Sequence, residues 1–148
     1  MIKVILFLLT YITVLVAAGK YDWHPEDPNA IHRKCKGDNP LPSQTLDDLQ
    51  KGQITDCPEM RSLLLCTAKG MNVYSSEKGF DPDRLAYSLY RASNRQCNRE
   101  LVRECVEQYK NVEPEDAMIF KVIKCIVEQE WDKKYEGLAH PTWQGGCD

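Results

Sequence analysis

The chain has 148 residues, a formal net charge of −3 and no run of basic residues. That balance argues against nucleic acid or an anionic membrane surface as its partner. With 43% hydrophobic residues, there is enough apolar material for one domain with a real core.

Met1 to Gly19 reads as a secretory signal: Lys3 is the positive start, Val4 to Val16 the apolar run, and Val-Ala-Ala-Gly a small-residue cleavage site. A membrane anchor would need a longer apolar run, and no later segment spans a bilayer, so no membrane insertion is expected. Residues 20–148 are expected to form a single secreted, extracellular domain. No Asn-x-Ser/Thr site occurs, so N-glycosylation is not expected. All seven cysteines fall after the signal, at Cys35, Cys57, Cys66, Cys97, Cys105, Cys125 and Cys147. In an oxidising compartment they read as a disulfide framework, and their odd number leaves a thiol free or intermolecular. No Cys-x-x-Cys or His-x3–5-His pair is present, so no metal site and no cofactor are expected.

Six helices are predicted. The first runs from about Pro25 to Cys35, behind Tyr21 and Trp23. Asn39, Pro40 and Pro42 then break the chain. The second is short, with Thr45 as cap, Leu46 and Leu49 pointing inward, and Gly52 as stop. The third opens near Asp56 and Pro58, carries Met60, Leu63, Leu64 and Ala68, and stops at Gly70. Met71, Val73 and Tyr74 form an apolar connector, followed by a polar turn. The fourth has Asp81 as cap and Pro82 at its first position, with Leu85, Ala86, Leu89 and Tyr90 on one face. The fifth, about Asn94 to Lys110, repeats Leu101, Val102, Cys105, Val106 and Tyr109 as one stripe. The sixth, Pro114 to Trp131, is apolar around most of its circumference, with only Lys121, Lys124 and Glu128 as a polar stripe. It is about 27 Å long. A helix this apolar must be surrounded by other elements, which makes it the expected central post. The acidic residues Asp47, Asp48, Glu113, Glu115 and Asp116 read as helix-start charges favoured by the dipole. No alternating strand pattern and no internal repeat is evident.

At this point the chain resembles the insect odorant-binding proteins of the pheromone- and general-odorant-binding family. That family has six helices after a signal peptide. Its six cysteines pair first–third, second–fifth and fourth–sixth, with Cys-x3-Cys on the third helix and Cys-x8-Cys closing the series. Cys66, in LLLCTAKGMNVYSSEKGFDPDRL, stands where the third should be, ahead of a bend, a polar turn and the Phe-Asp-Pro that opens the fourth helix. Cys35, Cys105 and Cys125 match the first, fourth and sixth. Ser62 and Asp116 stand where the second and fifth should be. Those two are partners in the family's own pairing, so the joint loss resembles the branch that lacks this bridge.

The resemblance implies an all-α, six-helix, disulfide-linked odorant-binding fold around an apolar cavity. It implies bridges Cys35–Cys66 and Cys105–Cys125. Cys57, Cys97 and Cys147 fall outside the family pattern. Cys97–Cys147 would pin the tail against the fifth helix, and Cys57–Cys147 and Cys57–Cys97 stay open as alternatives.

By function, the resemblance implies a secreted carrier of a small hydrophobic ligand, with a membrane chemoreceptor as a possible further partner. Leu63, Met71, Tyr74, Phe80, Leu85, Leu89, Leu101, Met118, Phe120, Val122, Ile123 and Trp131 are the candidate lining residues; taken singly each better suits plain core packing, and the expectation is that the set surrounds a space. Methionines and aromatics suit such a lining because they adapt and offer large contact area. Tyr74, Tyr90 or Tyr109 could meet a ligand's polar end, with exposure expected for the last two. Trp143 is a candidate plug, and His32 and His140 candidates for acid-driven release. Salivary D7 proteins, related in fold and also bearing a cysteine near the C-terminus, keep a scavenger of small bioactive molecules open, as does a protein-interaction module. An enzyme is not expected: no Gly-x-Ser-x-Gly, His-Glu-x-x-His or Cys-His-Cys constellation exists.

Overall fold

The computed structural model describes residues 21–93, 97–135 and 147, with side chains for all of these except 92, 93 and 130–135. Among the described residues there are six helices: α1 (Pro28–Asp38), α2 (Ser43–Gln50), α3 (Pro58–Gly70), α4 (Pro82–Ser93), α5 (Arg99–Tyr109) and α6 (Glu115–Tyr135). Between α3 and α4 lies a small antiparallel ladder of β1 (Tyr74–Ser75) and β2 (Gly79–Phe80), pairing Tyr74 with Phe80 and Ser75 with Gly79. No strand was expected there. Two residues per strand are too few to leave a period-2 signature in the sequence.

Local chemistry sets the helix ends. α1 starts at Pro28, not Pro25, because the Asp27 side chain accepts from the Ala30 N–H at 2.9 Å and Pro28 suits the first helical position. Thr45 does not cap α2; it lies inside that helix and is buried, and Pro42 holds the cap position with no side-chain bond. α5 begins at Arg99, later than expected, with Asn98 capping the Leu101 N–H at 3.2 Å. Asp81 caps α4, its Oδ1 accepting from the N–H groups of Asp83 and Arg84, each at 3.1 Å. α6 starts one residue past Pro114, whose carbonyl accepts from the Met118 N–H at 3.1 Å, and runs on beyond Trp131.

The end of α3 has a left-handed residue, but it is Asn72 (φ 57°), not Gly70. The Val73 N–H reaches back to the Ala68 carbonyl and the Asn72 N–H to that of Lys69, both at 3.1 Å. This is the paired bonding of a Schellman ending, with buried Val73 and Ala68 as its apolar contact. Gly70 serves another purpose. A Cβ there would stand 2.5 Å from Ile31 Cγ2, so the glycine lets α1 approach α3. Gly79, at φ 76°, takes the left-handed position in the hairpin turn, open around its Cα.

α6 is the post. It packs against α3 and α5, while α4 packs on α5 and α1 on α3. Ile119 and Val122 are fully buried, and Ala117, Met118, Phe120, Cys125 and Ile126 nearly so. Lys121 and Glu128 are exposed, and Lys124 pairs with Glu128 at 3.6 Å, so the polar stripe faces water. Disulfides join Cys35 to Cys66, Cys97 to Cys147 and Cys105 to Cys125, with Cα atoms 5.7, 5.5 and 5.9 Å apart. Cys57 is free, half-buried, with its sulfur 3.8 Å from Thr45 Oγ1.

Candidate functional site

α3, the hairpin, α4, α5 and α6 all turn apolar side chains to one place. Met71, Tyr74, Leu85, Leu101, Met118 and Val122 belong to a single buried cluster, with Phe80, Leu89 and Ile123 packed against it. Leu63 is half-buried and Phe120 is buried, yet both lie outside that cluster; Phe120 is covered by Lys124, whose Nζ is 5.9 Å from the ring centroid. The side chain of Trp131 and all of His140 and Trp143 lie outside the described residues. His32 is exposed on α1. Among the described residues no group of three or more His, Cys, Asp or Glu side chains converges on a point that could hold a metal ion.

The hairpin forms one wall of this interior. Outside it runs an open groove of about 840 Å³ between Trp23, Asn72, Lys78, Arg84 and the hairpin itself. Tyr74 and Phe80 line the groove, yet Tyr74 is in the core and Phe80 packs on it, with ring centroids 5.1 Å apart and edge to face. Tyr74 and Phe80, with buried Val73 beside them, thus stand between the outer groove and the apolar interior.

A carboxylate fastens this wall. Glu115, in the first turn of α6, accepts from Lys69 Nζ at 2.7 Å, Ser76 Oγ at 2.8 Å and Tyr74 Oη at 3.0 Å. Those donors come from α3, from β1 and from the turn that follows it, so one side chain ties α6 to α3 and to the hairpin. The Lys69 bond holds the Glu115 carboxyl below the usual range, with Ser76 and Tyr74 adding to it against a small burial cost. Burial, and then the bond to Glu115, push the Tyr74 phenol up to about 12. A Tyr74 hydroxyl aimed at a ligand is therefore not what the structure shows, since that proton is already donated. Tyr90 is buried at 3%, not exposed, because it shares the inward face of α4 with Ala86 and Tyr87. Tyr109 is half-buried and its oxygen accepts from Gln108 Nε2 at 3.1 Å.

Sequence reasoning placed Glu115 only as a helix-start charge and assigned nothing to Trp23, Arg84 or Tyr87. Trp23 lies under the Arg84 guanidinium at 5.1 Å, and its carbonyl accepts from Asn72 Nδ2 at 2.8 Å. Tyr21 stacks on Tyr87 at 4.9 Å, and Trp23 meets the same ring edge-on at 5.6 Å. The aromatic doublet ahead of α1 was the available signal; its partners on α4 are too distant in sequence to be read locally.

Among the described residues no helix is long and apolar enough to cross a membrane. A search of curated proteins and a search of solved structures each returned no match. The model of the PBP/GOBP family matches residues 23–129. That range takes in α1 to α5 and the greater part of α6, the elements that supply the buried wall. This is a family of binding proteins for small hydrophobic ligands rather than of enzymes. The chain belongs to the PBP/GOBP family, the insect odorant- and pheromone-binding proteins.

Proposed function

We propose that the chain is a secreted carrier that encloses a small hydrophobic ligand of the odorant or pheromone type among its helices. One observation carries the reading: the family match covers the elements whose apolar side chains converge on one interior. In this reading residues 1–19 are removed on secretion, and the three disulfides suit an oxidising extracellular medium. Met71, Leu85, Leu101, Met118 and Val122 supply the wall, with Leu63, Phe120 and Trp131 as further candidates. Methionine is apt at such a wall because its unbranched thioether re-packs around different shapes. A ligand enters past Tyr74 and Phe80, the two rings between groove and interior. A membrane chemoreceptor is the proposed recipient.

The test is native mass spectrometry of the secreted protein, followed by titration with the apolar dye N-phenyl-1-naphthylamine. A copurified apolar ligand, or dye affinity in the micromolar range that falls about tenfold on Met118→Asp, is expected from burying a charge where apolar surface should be. No dye binding by correctly oxidised protein would reject the carrier reading.

A further inference from the structure

A second, smaller opening of about 260 Å³ lies where the N-terminal aromatic segment meets the starts of α4 and α5. Tyr21, Trp23 and Tyr87 form its apolar side, and none of the eleven candidate carrier residues whose side chains are described lines it. Its polar rim is Asp81, Asp83, Arg84 and Arg99, beside the Cys97–Cys147 bridge.

The bonding on that rim is almost fully committed. Asp81 caps α4 and also meets Arg84 Nε at 3.2 Å. Arg84 covers the Trp23 ring and donates to the Asn72 carbonyl at 3.2 Å. Asp83 Oδ1 accepts from Arg103 Nη2 at 2.9 Å. Among the described residues Arg99 is what remains: its Nε is buried without a hydrogen-bond partner there, and the carboxylate oxygen it approaches, at 3.9 Å, is the one already bonded to Arg103. An unsatisfied donor is costly, and the Arg99 side chain, 37% exposed and lining the opening, can turn its guanidinium to an acceptor there. Among the described residues, Arg84 and Arg99 line the opening with Asp81 and Asp83, and Arg103 bonds Asp83 from outside it, so the described guanidiniums here outnumber the carboxylates by one. The aromatic side has room for a flat or branched body of about ten non-hydrogen atoms, smaller than a drug-sized ligand.

We propose that this opening is a second ligand site, separate from the carrier interior, for a small monocarboxylate with an aromatic or branched apolar body. Arg99 donates to the carboxylate, the planar guanidinium matching its two oxygens. Tyr21, Trp23 and Tyr87 cover the body.

Isothermal titration of the mature, fully oxidised chain with phenylacetate and with its neutral counterpart 2-phenylethanol tests this. Phenylacetate is expected to bind with a Kd of about 1 mM or tighter. The alcohol should bind at least about tenfold more weakly, the share of a charge-assisted bond. Arg99→Gln should weaken phenylacetate by a similar factor and leave N-phenyl-1-naphthylamine binding unchanged. Arg99→Lys should retain part of the affinity, and Trp23→Leu should weaken acid and alcohol alike. Equal affinity for acid and alcohol overturns the proposal, as does affinity unmoved by Arg99→Gln. Displacement of the dye by phenylacetate would place the acid in the interior and also overturn it. Should Arg99→Gln not fold, unchanged phenylacetate binding by both Arg99→Lys and Trp23→Leu is decisive against the site. Loss of dye binding alone would touch the carrier reading and not this one.

Discussion

Gly70 is the residue whose neighbours explain it most fully. In an exposed helix, alanine there would gain about 1 kcal/mol over glycine. Here its Cβ would meet Ile31 Cγ2 at 2.5 Å, and a branched methyl on a neighbouring helix cannot swing away as a lysine tip would. Gly70→Ala is therefore expected to cost about 1–3 kcal/mol, the scale of overpacking. Pairing it with Ile31→Ala should remove most of the added penalty; a urea-denaturation double-mutant cycle with no coupling between the two positions would contradict the close approach. In the sequence Gly70 is visible as the end of α3, and it is that. The left-handed ending at Asn72 and the approach of Ile31 are not visible there, because one depends on which of three successive residues bends and the other on a residue far back in the chain.

At the scale of elements, the fastening of the hairpin to α6 is a matter of charge. Glu115 titrates below its usual value, so its contribution is present above the unfolded carboxylate range, near pH 4.3, and is lost as pH falls through the lower folded value. Tyr74 is shifted the other way, so what it adds is complete below about pH 10 and is lost as pH rises toward 12. The fastening should be whole between those limits. Glu115→Gln is expected to lower stability at pH 7 by about 1 kcal/mol, a value kept small because the carboxylate is part-exposed and screened. It should also flatten the acid limb of a thermal-denaturation series taken from pH 6 to pH 3. An unchanged acid limb would remove Glu115 from the account. The sequence shows the helices on either side of this fastening plainly: Asp81 with Pro82 marks the start of α4, and the apolar circumference of the last helix marks it as central. It does not show the fastening, whose partners Lys69, Tyr74 and Ser76 lie 46, 41 and 39 residues away from Glu115. Periodicity reports neighbours one turn apart, not bonds across that distance.

Over the whole molecule, covalent links do much of the holding. The bridges close spans of 31, 20 and 50 residues, for which chain-entropy reasoning gives about 3–4 kcal/mol each. Replacing Cys105 and Cys125 together by alanine should thus lower unfolding free energy by about 3 kcal/mol, read from urea transitions beside the parent. One reactive thiol per native chain, that of Cys57, is expected by thiol titration. Six helices were legible from apolar stripes and helix-end residues, and a disulfide framework from the seven cysteines, but which of them pair was implied by the family resemblance alone. The buried apolar cluster was legible only as a set of residues, because the sequence shows that Leu63 and Phe120 are apolar but not that they stand apart from it. The map of the links has one more consequence. Cys35–Cys66 lies wholly before residue 94, and Cys105–Cys125 is nested inside Cys97–Cys147, wholly after residue 96. Nothing covalent but the backbone crosses from one half to the other, where the family's second bridge would have run between the positions of Ser62 and Asp116. Sever a single peptide bond between Ser93 and Cys97, and the native molecule should stay whole by packing alone, yet part into two fragments on a denaturing gel run without reductant. A cut anywhere from residue 98 to residue 146 should instead leave one band, its pieces shackled like links of a chain.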